Sequence, residues 1–92
     1  MPEMRFRVRW PDGTRDLCYS PSLVIKDHFE PGRSYPLDAF VAKASEALTV
    51  ASERVKARYG FPCSLALGQL RAIEAAAARQ PPGAVRVEGF EG

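Results

Sequence analysis

The chain reads as an α+β two-layer sandwich, a three-stranded sheet covered on one face by two helices, and three observations carry that reading. Residues Met4 to Trp10 alternate strictly between apolar side chains and arginine from Arg5 onward, the period of a half-buried strand. Between Leu37 and Tyr59 apolar residues recur at steps of three and four, the period of an amphipathic helix. From Ala84 to Glu88 the two-residue alternation returns. The predicted order is β-β-(short α)-α-α-β, in one domain spanning residues 1–92.

The first element is a hairpin from Arg5 to Tyr19. Phe6, Val8 and Trp10 share one face of its first strand, and Arg5, Arg7 and Arg9 the other. Asp12-Gly13 favours the positive-φ backbone of a tight two-residue turn. That loop sets Arg9 opposite Asp16, Val8 opposite Leu17, Arg7 opposite Cys18 and Phe6 opposite Tyr19. All four pairs then agree on their face, and a slip of one residue destroys the agreement.

Ser20 to Ser34 reads as an irregular connection rich in turn-formers, with Ser20-Pro21-Ser22 at one end and Glu30-Pro31-Gly32 at the other. Pro21 suits a first helical position, so Leu23 to His28 is expected to form one or two helical turns, with a short strand through Leu23-Val24-Ile25 as the alternative. Pro36 opens the long helix, whose stripe is Leu37, Phe40, Val41, Ala44, Leu48, Ala51, Val55 and Tyr59. Asp38 in its first turn and Lys56 and Arg58 in its last complement the helix dipole. Gly60 caps its C-terminus and Pro62 blocks continuation, so the helix runs for ~36 Å. Ser64 is expected to cap a second helix to about Arg79, with Leu67, Leu70, Ile73 and Ala77 inward. Gln80-Pro81-Pro82-Gly83 stops it before the third strand.

Composition narrows the class. At 92 residues the chain makes one modest core, and 46% hydrophobic with 26% charged residues is ordinary for a globular protein. A net charge of +2 is too small to signal nucleic-acid binding without clustering. Two distant cysteines do not make a disulfide scaffold. Neither a signal-peptide stretch nor a run of transmembrane length is present, so the expectation is a cytoplasmic protein away from membranes.

With two helices on one side of the sheet, the other side stays open. The predicted register places Arg5, Arg7, Arg9, Asp16, Cys18, Arg86 and Glu88 there, and this is the candidate binding surface. Guanidinium forks match phosphate and carboxylate oxygens. The plainer reading is a solvated face cross-paired by Asp16 and Glu88, and a third is a sheet-on-sheet homodimer. Cys18 beside Arg7 would have a stabilised thiolate, with His28 as the sole histidine to serve as its base, but ordinary strand packing is the plainer reading of a cysteine with no motif around it. Cys18, His28 and Cys63 lack the close ligand pairs of a zinc site, so no metal is expected. Asp27-His28-Phe29-Glu30 holds groups for proton transfer but reads as a hydrophilic loop. Arg54, Lys56 and Arg58 form a basic helix end that dipole compensation already explains.

Several segments, taken in order, carry a resemblance. They are Arg9-Trp10-Pro11-Asp12-Gly13, Cys18-Tyr19-Ser20-Pro21-Ser22, Pro31-Gly32-Arg33-Ser34-Tyr35-Pro36, Ala51-Ser52-Glu53-Arg54-Val55, and Tyr59-Gly60-Phe61-Pro62-Cys63-Ser64. Over roughly residues 3 to 75 the chain resembles the small bacterial nitrogen starvation response proteins encoded within nitrilase-containing gene clusters. The resemblance implies a cytoplasmic protein linked to nitrogen limitation, with a nitrilase among its gene neighbours. It assigns no catalytic residues, and no cofactor is expected. Tyr19, Ser20, Ser22 and Cys63 become positions to test, within segments that serve equally as a strand end and a helix-to-helix corner.

The expected function is a non-enzymatic accessory protein. Its partner is expected to be a protein, an enzyme of the nitrilase cluster being the natural candidate, with homo-oligomerisation as a further expectation. A nucleic-acid-binding regulator using the same arginines is the alternative, weakened because Phe6, Trp10 and Tyr19 all point inward in the predicted register. A Cys18-based thiol enzyme or redox sensor ranks third.

Overall fold

The computed structural model describes residues 3–91. Its elements are β1 (Met4–Arg9), β2 (Arg15–Ser20), α1 (Ile25–His28), β3 (Arg33–Pro36), α2 (Leu37–Tyr59), α3 (Ser64–Ala78) and β4 (Ala84–Glu91). The α+β layering is as expected, but the sheet has four strands rather than three, in the order β2-β1-β4-β3, every neighbour antiparallel. The fourth strand is β3, in the stretch just before the long helix. It is four residues long and ends in proline, so it has no room for an alternation signal. Its pairing with β4 defines it, and backbone bonds from Gly32 N–H to the Val87 carbonyl (2.6 Å) and from Leu37 N–H to the Gly83 carbonyl (3.0 Å) bracket that pairing. A short, proline-ended strand is a common way to blunt a sheet edge.

The hairpin register differs from expectation by one residue, and the turn is the reason. Gly13 N–H donates to the Trp10 carbonyl (2.9 Å), and Trp10 N–H donates to the Thr14 carbonyl (2.8 Å). Pro11 and Asp12 therefore occupy the centre of a type I turn, and Gly13, at φ +90°, follows in the left-handed conformation. The loop has three residues instead of two. Arg9 then faces Arg15, Val8 faces Asp16, Arg7 faces Leu17, Phe6 faces Cys18 and Arg5 faces Tyr19. Because side chains alternate with a period of two, one extra loop residue turns the whole of β2 over. Asp16, Cys18 and Ser20 move to the inner face, and Leu17 and Tyr19 to the open face.

The core lies between the inner sheet face and the helices. Phe6 and Val8 of β1, Val85 and Val87 of β4, Phe40, Ala44, Ala47 and Leu48 of α2 and Ile73 of α3 are all buried. Phe29 stands at its centre, its ring centroid 5.1 Å from Phe40, 5.2 Å from Tyr35 and 6.1 Å from Phe6. The alanines let α2 approach closely. Gly60, at φ +88°, ends α2 as expected, its N–H donating to the Lys56 carbonyl (2.8 Å). The predicted stripe outruns the sheet, however, and Tyr59 at the far end is half exposed. In α3, Ile73 is buried and Leu70 and Ala77 pack at the core's margin, whereas Ala66 takes the buried position nearest the start of the helix and Leu67 is only half-buried. Cys63, not Ser64, is the N-cap residue, and it makes no side-chain cap bond. The stretch from Leu23 to His28 resolves as helical turn rather than strand.

β4 is longer than its alternation suggested. Val8 pairs with Val87 but Arg7 pairs with Gly89, so Glu88 is an extra residue in a β-bulge. The bulge restores Phe90 to the inner side, opposite Phe6, and carries pairing on to Glu91.

Candidate functional site

Both long helices pack on the inner side, so the outer face of the sheet is bare. Three transverse rows of side chains occupy it, each taken from strands in register. At the hairpin end are Arg15, Arg9 and Arg86; in the middle, Leu17, Arg7 and Gly89; at the far end, Tyr19, Arg5 and Glu91. Sequence reasoning placed Arg5, Arg7, Arg9 and Arg86 here, and the structure brings all four together. It missed Arg15, Leu17 and Tyr19, and the signal that would have found them is Pro11, which favours the second position of a type I turn.

Charge is unevenly neutralised across the rows. Arg7 is paired with Glu91, Arg15 with Glu88 (3.4 Å) and Arg5 more loosely with Glu3 (3.9 Å). Arg9 and Arg86 have no carboxylate partner among the described residues, and both are exposed. Arg9 therefore has an arginine directly opposite it on each neighbouring strand. Beside this row, a depression of about 220 Å³ is lined by Arg7, Arg15, Asp16, Leu17 and Glu88. At the opposite end, a groove of about 470 Å³ runs between Arg5 and Tyr19 on the sheet and Leu65, Gly68 and Ala72 on α3.

Cys18 does not belong to this face. It is 1% exposed, opposite Phe6 on the core side, and burial pushes its thiol up to about 12, with the Asp16 charge adding in the same direction. The expected Cys18–Arg7 proximity is a consequence of the two-residue turn and disappears with it. Thiolate chemistry needs the reverse shift. Asp16 is also on the inner side, where it accepts the Trp10 indole N–H (2.7 Å).

The remaining candidates have structural partners. The Ser20 hydroxyl donates to the Ser22 carbonyl (2.7 Å), and the Ser22 hydroxyl oxygen accepts from Val24 N–H (3.3 Å) and from Arg54 (3.2 Å). The pair thus ties the end of β2 and the start of α1 to α2. Tyr19 N–H donates to the Gln69 side chain (2.9 Å), which caps the β2 edge from α3, and burial raises the Tyr19 hydroxyl. Cys63 N–H donates to the Ser52 hydroxyl (3.2 Å) at the helix corner, leaving the thiol free and half-buried. His28 lies against the Val24 carbonyl (Nδ1, 3.2 Å) and 4.0 Å from Glu46, and these, not Cys18, are its polar neighbours. Among the described residues no three His, Cys, Asp or Glu side chains gather as metal ligands, and no described helix is long and apolar enough to cross a membrane.

Fold and face together define a small α+β protein with an open, arginine-rich antiparallel sheet. The chain belongs to the NitG family of nitrogen starvation-induced proteins, whose family model matches residues 5–90. Membership links it to the response to nitrogen starvation. No curated protein and no solved structure matches the chain significantly.

Proposed function

We propose that the protein is a non-enzymatic accessory factor of the nitrogen-starvation response, acting in the cytoplasm by docking its open sheet face on a partner protein. One observation carries the reading: both long helices cover the same side of the sheet, while the bare side concentrates five arginines around exposed Leu17. Cationic and apolar side chains side by side suit a protein surface, where arginine and buried apolar contacts carry binding. The resemblance to proteins encoded beside a nitrilase makes an enzyme of nitrile or nitrogen scavenging the natural partner. Self-association through the same face requires arginine rows to meet an identical surface, which favours a different partner over a second copy.

Nucleic-acid regulation is the second reading, and Tyr19 on the open face beside Arg5 favours it. Affinity capture of the tagged protein from nitrogen-starved cells, with and without nuclease, separates the two. An enzyme retained after nuclease and lost in the Arg9→Glu/Arg86→Glu variant supports the accessory reading. Partners that vanish with nuclease overturn it.

A further inference from the structure

We infer that the Arg15–Arg9–Arg86 row is the recognition element of the open face and that it takes an acidic, extended polypeptide segment of the partner. The inference rests on the proposed docking role of that face and specifies its chemistry. In register, the three arginines stand on three adjacent strands, so their backbones span about 10 Å at the ~4.8 Å interstrand spacing. Carboxylates on alternate residues of an extended chain are about 7 Å apart. Two of them, laid along the row, reach all three guanidinium groups, each oxygen pair meeting a planar fork.

The row is also the one part of the face where positive charge is left over. Glu91 and Glu3 neutralise the Arg7 and Arg5 end, and Glu88 covers only Arg15. Arg9 and Arg86 keep their charge, and a Cβ at Gly32 would lie 3.9 Å from the Arg86 guanidinium, so glycine there leaves that group uncrowded. Arginine opposite arginine is unfavourable in an isolated sheet. An anionic ligand turns that cost into affinity.

A polynucleotide fits less well. Two unpaired arginines meet about two phosphates, where nucleic-acid binders commonly neutralise several along a track. Tyr19, the aromatic available for stacking, is two rows away, about 14 Å along the strand from Arg9 to Arg5. Between them stands Arg7, already paired with Glu91, so a phosphate chain joining row and ring meets no free cation on the way. Leu17 instead stands next to Arg15 on the same face, 49% exposed, ready for an apolar side chain of a peptide.

The test titrates the full-length ¹⁵N-labelled protein with a short blocked peptide carrying glutamate at alternate positions and one leucine. A glutamine-substituted peptide and oligothymidylate serve as comparators. Shifts centred on Arg9, Arg15, Arg86 and Leu17, with affinity about tenfold lower in Arg9→Ala and in Arg86→Ala, are the expected result. Tighter binding of oligothymidylate at the same row overturns the inference in favour of a nucleic acid. Equal affinity for the glutamine peptide overturns the charge argument. Absence of peptide shifts, with partner capture still lost in the Arg9→Glu/Arg86→Glu variant, removes the acidic-segment inference and leaves the docking role intact. If capture also survives that variant, both fall.

Discussion

The Trp10 indole N–H donates to the Asp16 carboxylate at 2.7 Å across the hairpin, and Trp10 is 3% exposed with its ring 5.6 Å from Phe40. This bond gives the inward-facing carboxylate of β2 a purpose. It also anchors the register that the turn selects. Asp16→Ala leaves a buried donor without a partner, at a cost of about 1–3 kcal/mol. Trp10 is the single tryptophan, so its fluorescence reports the loss directly during urea unfolding. Asp16→Asn retains an acceptor and should recover most of the stability.

Gly13 supplies the left-handed residue that closes the three-residue loop, and there is open space where a Cβ would project. The penalty of Gly13→Ala is therefore conformational, about 1 kcal/mol, and is read as a lower urea midpoint with an unchanged slope.

Arg9→Glu is expected to separate stability from binding. Glutamate at this position faces Arg15 on one side and Arg86 on the other, replacing two like-charge contacts by two opposite ones. Each such cross-strand pair is worth about 0.2–1 kcal/mol. Thermal unfolding should therefore shift upward while capture of the partner is lost. A variant both less stable and non-binding would show Arg9 to be structural.

Cys18 gives a signed pH dependence. Its ordinary value of 9.0 is raised to about 12 by burial, so the folded state holds a proton that the unfolded chain releases. Its contribution is complete below pH 9 and is lost as pH rises toward 12, with a slope of up to about 1.4 kcal/mol per pH unit. Urea midpoints measured between neutral and alkaline pH should fall, and Cys18→Ala should flatten that fall. Alkylation at pH 8 should label Cys63 and spare Cys18 until the protein unfolds.

Much of this architecture was legible in the chain because it rests on periodicity. The long helix, its Gly60 cap, the outward arginines of β1 and the return of alternation after Gly83 all follow from spacing that neighbours do not alter. What was hidden depended on one turn and one pairing. Leu17 and Tyr19 look inward-facing by polarity, and the choice between two and three loop residues lies in whether Pro11 joins the turn. β3 has no pattern of its own, since an edge strand of four residues is defined by the partner that β4 offers. The arginine row was half visible: Arg9 and Arg86 were placed on one face, but Arg15 joined them only once β2 had turned over.

The central strand pair joins residues remote in sequence; Arg7 and Glu91 are 84 positions apart. The hairpin and both helices need only local contacts and can form while synthesis continues. β1 cannot acquire its second neighbour until β4 emerges after α3, and β3 has no neighbour at all before then. Closure of the sheet is consequently a late, non-local step, and non-local pairing is slow. In the interval Phe6 and Val8 lack the β4 valines beside them, so the nascent chain passes through a sticky stage. Chaperone dependence of folding would be the visible trace of that hazard.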